Sequence, residues 1–285
     1  MRRIPKFFGI HAEPRYTFLL ALLPFILLIS LYVYSSHERL KENPSDKILP
    51  SPAQMAEAVK RMVTTEDPST DGIHVFGYKI TVTYFLGDNL ASFKRFYSGV
   101  ALYAVAGLIL GLVLGLFPGL RALFLPFIVA ISSVPPIALL PILLMVFGVD
   151  DFSKIVLIFL SGFFTITRDI YLAVEKIPKE HITKALTLGA SQFQIAYRIV
   201  FPQIKPRLID ATRLSLGSSW VYLITAEYIA STQGLGYRIA LMRRFLGMDV
   251  IIPYVLTITL LAFATDWAMK TFVVRRYAWY ARKEE

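Results

Sequence analysis

Apolar and polar stretches alternate along this chain on the scale of whole helices. Six blocks, Tyr16–Tyr34, Phe96–Phe117, Leu120–Phe147, Ser153–Tyr171, Leu208–Ala230 and Ile251–Val274, are dominated by aliphatic and aromatic residues. A bilayer core about 30 Å thick is crossed by roughly 20 helical residues, so each block reads as a membrane span. The pattern predicts an all-α polytopic membrane protein with about six transmembrane helices. The first block is too long for the core of a secretory leader and has no small-residue cleavage site, so it reads as a retained anchor.

The polar stretches set the expected orientation, because basic residues concentrate in short cytoplasmic loops. Arg2, Arg3, Lys6 and Arg15 precede the first span, and Arg275, Arg276, Arg282 and Lys283 follow the last. The 168–207 loop carries seven basic residues against Asp169, Glu175 and Glu180, whereas 37–95 balances eight basic against eight acidic residues. Both termini and the 168–207 loop are therefore expected inside, and 37–95 outside. The 231–250 loop runs against this bias: it falls outside yet carries Arg238, Arg243 and Arg244. The division expected is 1–36, an N-terminus and first span; 37–95, an outer segment; and 96–285, a core with an inner loop at 172–207.

Within the outer segment, Ser51-Pro52-Ala53-Gln54 has the residues of a capping box, with Pro at the first helical position. Met55, Ala56, Val59, Met62 and Val63 then share one helical face, which predicts a short helix on the leaflet or on the bundle. Thr64–Ile80 reads as loop.

Inside the spans, Gly107, Gly111 and Gly115 form a flat stripe, with Gly99 two turns before it. Such stripes let helices approach closely in lipid, as static packing or as a moving interface. Pro126, Pro135, Pro136 and Pro141 interrupt the third span, and each removes a backbone donor. Broken backbone at membrane depth needs neighbours or a wet cavity. Ser132, Ser133, Pro135 and Pro136 are thus candidates to line a pathway, or to bend a packing helix. Glu227 in the fifth span, with Trp220 and Leu223 on its face, is either a pathway or gate residue or half of an interhelical hydrogen bond. Asp266 has Lys270 four residues on, which suggests a local ion pair.

Composition changes this picture little: 55% of residues are hydrophobic, 18% are charged, and the mean hydropathy is +0.57. The net charge of +10 follows from the inside bias of the loops and needs no nucleic acid. Absence of cysteine excludes disulfides and thiolate chemistry. No GxxxxGK[ST], HExxH, GxSxG or potassium-filter motif occurs, and Gly234-Leu235-Gly236 follows no strand and reads as a turn. His11, His37, His74 and His181 lie apart and outside the spans, so no metal site is expected. Nothing supports an enzyme or a cofactor held by this chain.

The remaining feature is the inner loop. Ile182, Ala185, Leu186 and Gly189 recur at helical spacing; Gly189 permits a sharp turn, and Phe193, Ile195, Ala196 and Ile199 lead to Pro202. A short helix between two spans, with an apolar face and nothing in the chain to cover it, is a docking surface for another subunit.

This loop resembles the EAA loop of permease subunits of ABC importers. Thr183, Lys184 and Ala185 stand at the EAA positions, Leu188-Gly189-Ala190 brings the glycine after three more residues, and Ile199 and Pro202 follow nine residues later. Thr183 and Lys184 replace Glu and Ala, and Phe201 replaces Leu. Leu49-Pro50-Ser51-Pro52, the run Ser133–Pro141, Trp220 with Glu227, and Gly234-Leu235-Gly236 narrow the resemblance to the nitrate/sulfonate/taurine branch. It covers about 49–279 of the chain, and the 64–90 insertion departs from it. The resemblance implies a type I importer in a bacterial inner membrane. Two permease copies would form the pathway, and two ATPase subunits binding ATP and Mg would grip the loops. A periplasmic or lipid-anchored binding protein would deliver a small solute. The competing reading is a stand-alone secondary transporter, for which Glu227 and Asp266 are the available intramembrane carboxylates.

Overall fold

A computed structural model of the protein describes residues 14–44, 46–66, 73–75, 78–80 and 83–281. Arg2, Arg3, Lys6, Arg282 and Lys283, which helped set the expected orientation, lie outside these residues. Helix α1 (Pro14–Glu42) is followed by α2 (Pro52–Thr64), a two-stranded hairpin of β1 (Ile73–Val75) and β2 (Tyr78–Ile80), and the long α3 (Tyr84–Leu116). Next come α4 (Pro118–Ser132), α5 (Leu140–Phe147) and α6 (Asp151–Glu175). The short α7 (Lys179–Thr187) and α8 (Gln192–Ile195) lead into α9 (Phe201–Ile229), then α10 (Leu235–Arg243), α11 (Met248–Arg276) and α12 (Ala278–Ala281).

The heart of the fold is the pair α3–α6. Gly99, Gly107, Gly111 and Gly115 of α3 face Ile158, Ile166, Ile170 and Val174 of α6. A Cβ on any of these glycines would come within 2.6–2.8 Å of the facing side chain. Between them the relation inverts: Gly162 of α6 receives the buried ring of Tyr103 from α3. Large against small at each helical step lets the two backbones close on each other, which is what drives helix association in lipid. Of the two readings for the stripe, the structure contains intrachain packing.

Because both series ascend together, α3 and α6 run parallel. Arg95 Nε donates to Asp151 Oδ1 (2.6 Å) at one end, while Gly115 packs on Val174 at the other. Roughly 20 residues, about 30 Å of helix, separate these levels. The chain between α3 and α6 must therefore return across the same thickness. It does so as a broken element: α4 and the segment Pro136–Phe147 are bent by 80°. Ser133 and Val134 donate to Ala130 and Ile131 carbonyls, tightening the last turn of α4, and Pro135 and Pro136 then offer no donor. A 3₁₀ turn over Pro136–Leu139 restarts the chain into α5.

Among the described residues four helices are long and apolar enough to cross a membrane, and five spans result if the bent pair is one. The block expected at Leu208–Ala230 is not among them. It corresponds to α9, which is 29 residues long but too polar to qualify by composition. Its course nevertheless matches a crossing. Arg207 meets Asp169 of α6 at one end (2.9 Å), Ser219 and Ser161 hydroxyls lie 3.3 Å apart midway, and Glu227 reaches Arg95 at the other end (2.6 Å). Its polar residues are tolerated because Asp210, Thr212, Ser215, Ser219 and Glu227 are buried inside the protein.

Helix α2 forms as expected: Ser51 Oγ accepts from the Gln54 amide and Gln54 Oε1 from the Ser51 amide. It packs on α3 and α11, with Ala58 buried. The stretch read as loop contains the hairpin, in register Ile73↔Ile80, His74↔Lys79 and Val75↔Tyr78. Its β-branched and aromatic residues, separated by two residues, favour pairing over loop. A Glu66↔Thr83 bridge closes the base of this insertion, so α2 and α3 meet as though it were absent.

Candidate functional site

The loop after α6 is built from ordinary helix-end chemistry. Helix α7 ends at Leu188, where Gly189 adopts φ +82°. The Ala190 amide donates to the Ala185 carbonyl and the Gly189 amide to the Leu186 carbonyl, the two bonds of a Schellman cap. Ser191 then caps α8 by a capping box with Gln194. Two successive caps fix the corner between α7 and α8. Beyond it, Pro202 cannot donate, and the chain absorbs this with a π turn over Ala196–Val200, in which the Phe201 amide reaches the Ala196 carbonyl. The helix thus continues from Ala196 through Pro202 into α9, where the sequence suggested that the span begins beyond Pro202.

On this corner Leu188 and Phe193 are 81% and 79% exposed, with Leu186 and Tyr197 exposed beside them. Thr183 and Lys184 are also exposed, while Ala185, Ala190 and Ile199 pack towards the core. Arg207 pairs with Asp169 across the two stems of the loop, and Arg121 pairs with Glu175 (2.7 Å). An apolar ridge is therefore carried on a corner tied back to α4, α6 and α9. A cleft of about 300 Å³ between the stems is lined by Lys176, Gln203, Trp279 and Tyr280, among others.

The far end of the bundle is closed by a buried polar network. Glu227 is fully buried; its Oε1 accepts from Arg95 Nη1 (2.6 Å) and its Oε2 from the Gly236 amide (3.0 Å), with Ser92 Oγ 2.9 Å from both oxygens. Ser92 in turn accepts from the Leu235 amide. Asp88 accepts from the Gly234 amide, Arg238 Nε (2.7 Å) and Tyr254 Oη. Gly234, at φ +123°, leaves no room for a Cβ, which would lie 2.5 Å from Glu227 Oε1. The glycine triplet is thus the start of α10 laid on Glu227, a closer constraint than a turn. Arg238, one of the three arginines that run against the inside bias, is neutralised by Asp88.

Of the pathway candidates, Trp220 and Glu227 lie in the interior. Trp220 stacks on Phe96 with ring centroids 4.1 Å apart, and its Nε1 has no hydrogen-bond partner among the described residues. The structural reading of Glu227, an interhelical bond, is the one the structure contains. Ser132 and Ser133 are exposed at the break, both donating to the Val129 carbonyl, with Pro135 exposed and Pro136 half-buried. The expected Asp266–Lys270 pair is corrected: Asp266 lies 3.7 Å from Arg213 Nε of α9. Interhelical geometry brings Arg213 to it, and no local pattern could announce that. Both intramembrane carboxylates named for the competing reading lie beside arginines, Glu227 at Arg95 and Asp266 at Arg213. Sequence reasoning also missed Ser92, Arg95 and Asp88, whose signal was a run of polar residues at the entrance of an apolar helix.

Fold and loop together define a class: a polytopic helical membrane protein with a closed polar network at one end of its bundle and a capped, exposed apolar corner at the other. Residues 105–276 match the family described as binding-protein-dependent transport system inner membrane component, and the chain belongs to that family. It is 32% identical over 183 residues to the taurine transport system permease protein TauC of Escherichia coli (strain K12), covering 64% of this chain and 66% of that protein. It is 26% identical over 195 residues to the nitrate import permease protein NrtB of Synechocystis sp., covering 66% of each. The fold is that of a chain of the inward-facing MetNI methionine ABC transporter. That match has a TM-score of 0.56 at 20% identity, covering 65% of this chain and 92% of that one.

Proposed function

We propose that this chain is the pathway-forming permease subunit of an ATP-driven importer in a bacterial inner membrane, and that its 182–202 loop is the coupling element. The observation that carries the reading is the apolar ridge at Leu188 and Phe193, which none of the described residues covers. Two ATPase subunits hold this ridge in the two permease copies; ATP and Mg reside there, since no phosphate cradle exists in this sequence. The positive-inside bias puts the loop and both termini in the cytoplasm. The network end then faces outward, where a periplasmic or lipid-anchored binding protein delivers solute.

The pathway runs between the two copies, along surfaces that one copy leaves open. On α9 these are Leu214, Gly217, Ser218 and Val221, which are open in the single chain, and the half-buried Thr225, all on one face at helical spacing. The α4–α5 break, with Ser132, Ser133, Pro135 and Pro136, supplies a second such surface. The solute is a small anion of the sulfonate, taurine or nitrate kind, as supported by the names of TauC and NrtB.

Co-purification of the ATPase with a Gly189→Trp variant tests the coupling role. The side chain has space, but φ +82° disfavours any residue with a Cβ and reshapes the cap. Loss of the ATPase and of uptake, with the permease still inserted, is expected. Undiminished association and uptake sinks the assignment.

A further inference from the structure

We propose that Arg243, Arg244 and Tyr228 form a recruiting site for a small oxyanion, a sulfonate or nitrate in class, at the outer mouth of the pathway. The inference rests on the importer reading and deepens it. Basic residues are disfavoured in short outer loops, so those that occur there call for a local cause. Arg238 has one in Asp88. Arg243 and Arg244 have no carboxylate partner among the described residues. Arg243 Nη1 donates to Tyr228 Oη, and its guanidinium carbon lies 5.8 Å from that ring's centroid. Their position at the C-terminus of α10 is favourable to cations but supplies no counter-charge.

The three side chains line one cleft of about 370 Å³, with Ala240 as its remaining wall. Tyr228 stands seven residues beyond Val221 and 14 beyond Leu214, hence on the same open face of α9 that the pathway reading uses. The cleft therefore lies at the head of that face. A guanidinium offers paired N–H donors that match the oxygens of a sulfonate or nitrate. Tyr228, accepting from Arg243, keeps its own O–H to donate. The turn that presents the arginines is fixed by the Gly247 amide donating to the Met242 carbonyl, with Leu246 at φ 54°. Because both arginines are exposed, the site holds its ligand weakly, which suits handover: a transit site must release what it binds.

The test uses the complete transporter with its own ATPase and binding protein in proteoliposomes, with labelled taurine and nitrate as probes. Arg243→Gln with Arg244→Gln is expected to lower uptake of the transported anion by about tenfold or more, the scale of losing charge-assisted hydrogen bonds. Arg243→Lys with Arg244→Lys, which keeps charge but not the fork, should recover part of it. Retention of the loaded binding protein, measured by pull-down, should persist in both. Unchanged uptake in the glutamine variant overturns the proposal. So does a parallel loss of binding-protein retention, which makes the arginines docking contacts. If the wild type shows ATP-dependent uptake of neither probe but of a neutral solute, the anion site falls while the importer reading stands. Absence of any ATP-dependent uptake sinks both.

Discussion

At the far end of the bundle Glu227 is 0% exposed and held by Arg95, Ser92 and the Gly236 amide, whereas at the loop end Leu188 is 81% exposed, with no cover among the described residues. The same helices, α6 and α9, connect the two regions. A buried charge without a partner costs several kcal/mol, so the chain must satisfy Glu227 from its own residues. An exposed leucine costs far less, about 1.5–3 kcal/mol recovered on burial, and that gain can be left for another subunit to collect. The contrast separates an end whose polar groups are satisfied within the chain from an end that leaves apolar surface exposed.

The sharpest way to break this contrast is to unbalance the closed end. Glu227→Ala should leave Ser92 and the Gly236 amide without their acceptor and Arg95 with Asp151 as its one remaining carboxylate, and destabilise the bundle by about 3–5 kcal/mol. Thermal unfolding in detergent, followed by tryptophan fluorescence, reads the loss. Unaltered unfolding would mean that the network is dispensable.

The next effect concerns the α3–α6 seam. Gly111→Ala puts a methyl 2.6 Å from Ile170 Cβ, and overpacking of this kind costs about 1–3 kcal/mol. Ile170→Ala in the same chain should restore part of that stability. A double-mutant cycle showing simple additivity contradicts direct contact.

At the loop end the stability effect should be small. Leu188→Ser with Phe193→Ser is expected to shift unfolding by no more than about 0.5 kcal/mol, as for other surface changes, while ATPase retention in a pull-down falls sharply. A large stability loss there would show that the ridge is covered from within the chain.

The smallest effect is expected where α1 joins α2. The Ile48 amide, and then the Arg39 guanidinium, hold the Asp46 carboxyl below the ordinary carboxylate range. A depressed value means that the contribution is present above the ordinary range and is lost as pH falls through the lowered one. Protease cleavage near 43–50 should therefore rise on acidification below that range. Asp46→Asn should remove this dependence, and a pH-independent wild type would contradict it.

Much of the architecture was legible in advance because it depends on residues close together in the chain. Span length, the Ser51–Gln54 box, the proline break and the turn at Gly189 each need only a few neighbours to be recognised. The hairpin was missed because three-residue strands carry too little pattern. The block read as a span at Leu208–Ala230 falls largely within α9, which already starts at Phe201, and its polarity became intelligible only when Ser219, Glu227 and Asp210 were found inside the bundle. The partner of Glu227 lies 132 residues away in the chain, and that of Asp88 lies 150 away. No periodicity connects such positions.

Sequence alone determined that the chain has repeated spans of apolar residues, carries no P-loop motif, and turns sharply at Gly189 between two spans. Those properties follow from hydrophobic length, local backbone preference and the presence or absence of particular residues. Tertiary structure alone decided which intramembrane charges neutralise each other, that the glycine stripe seats α6, and that two of the three arginines in the 231–250 loop have no counter-charge among the described residues. Pairing of charges is a matter of distances between helices, and only the packed bundle sets those.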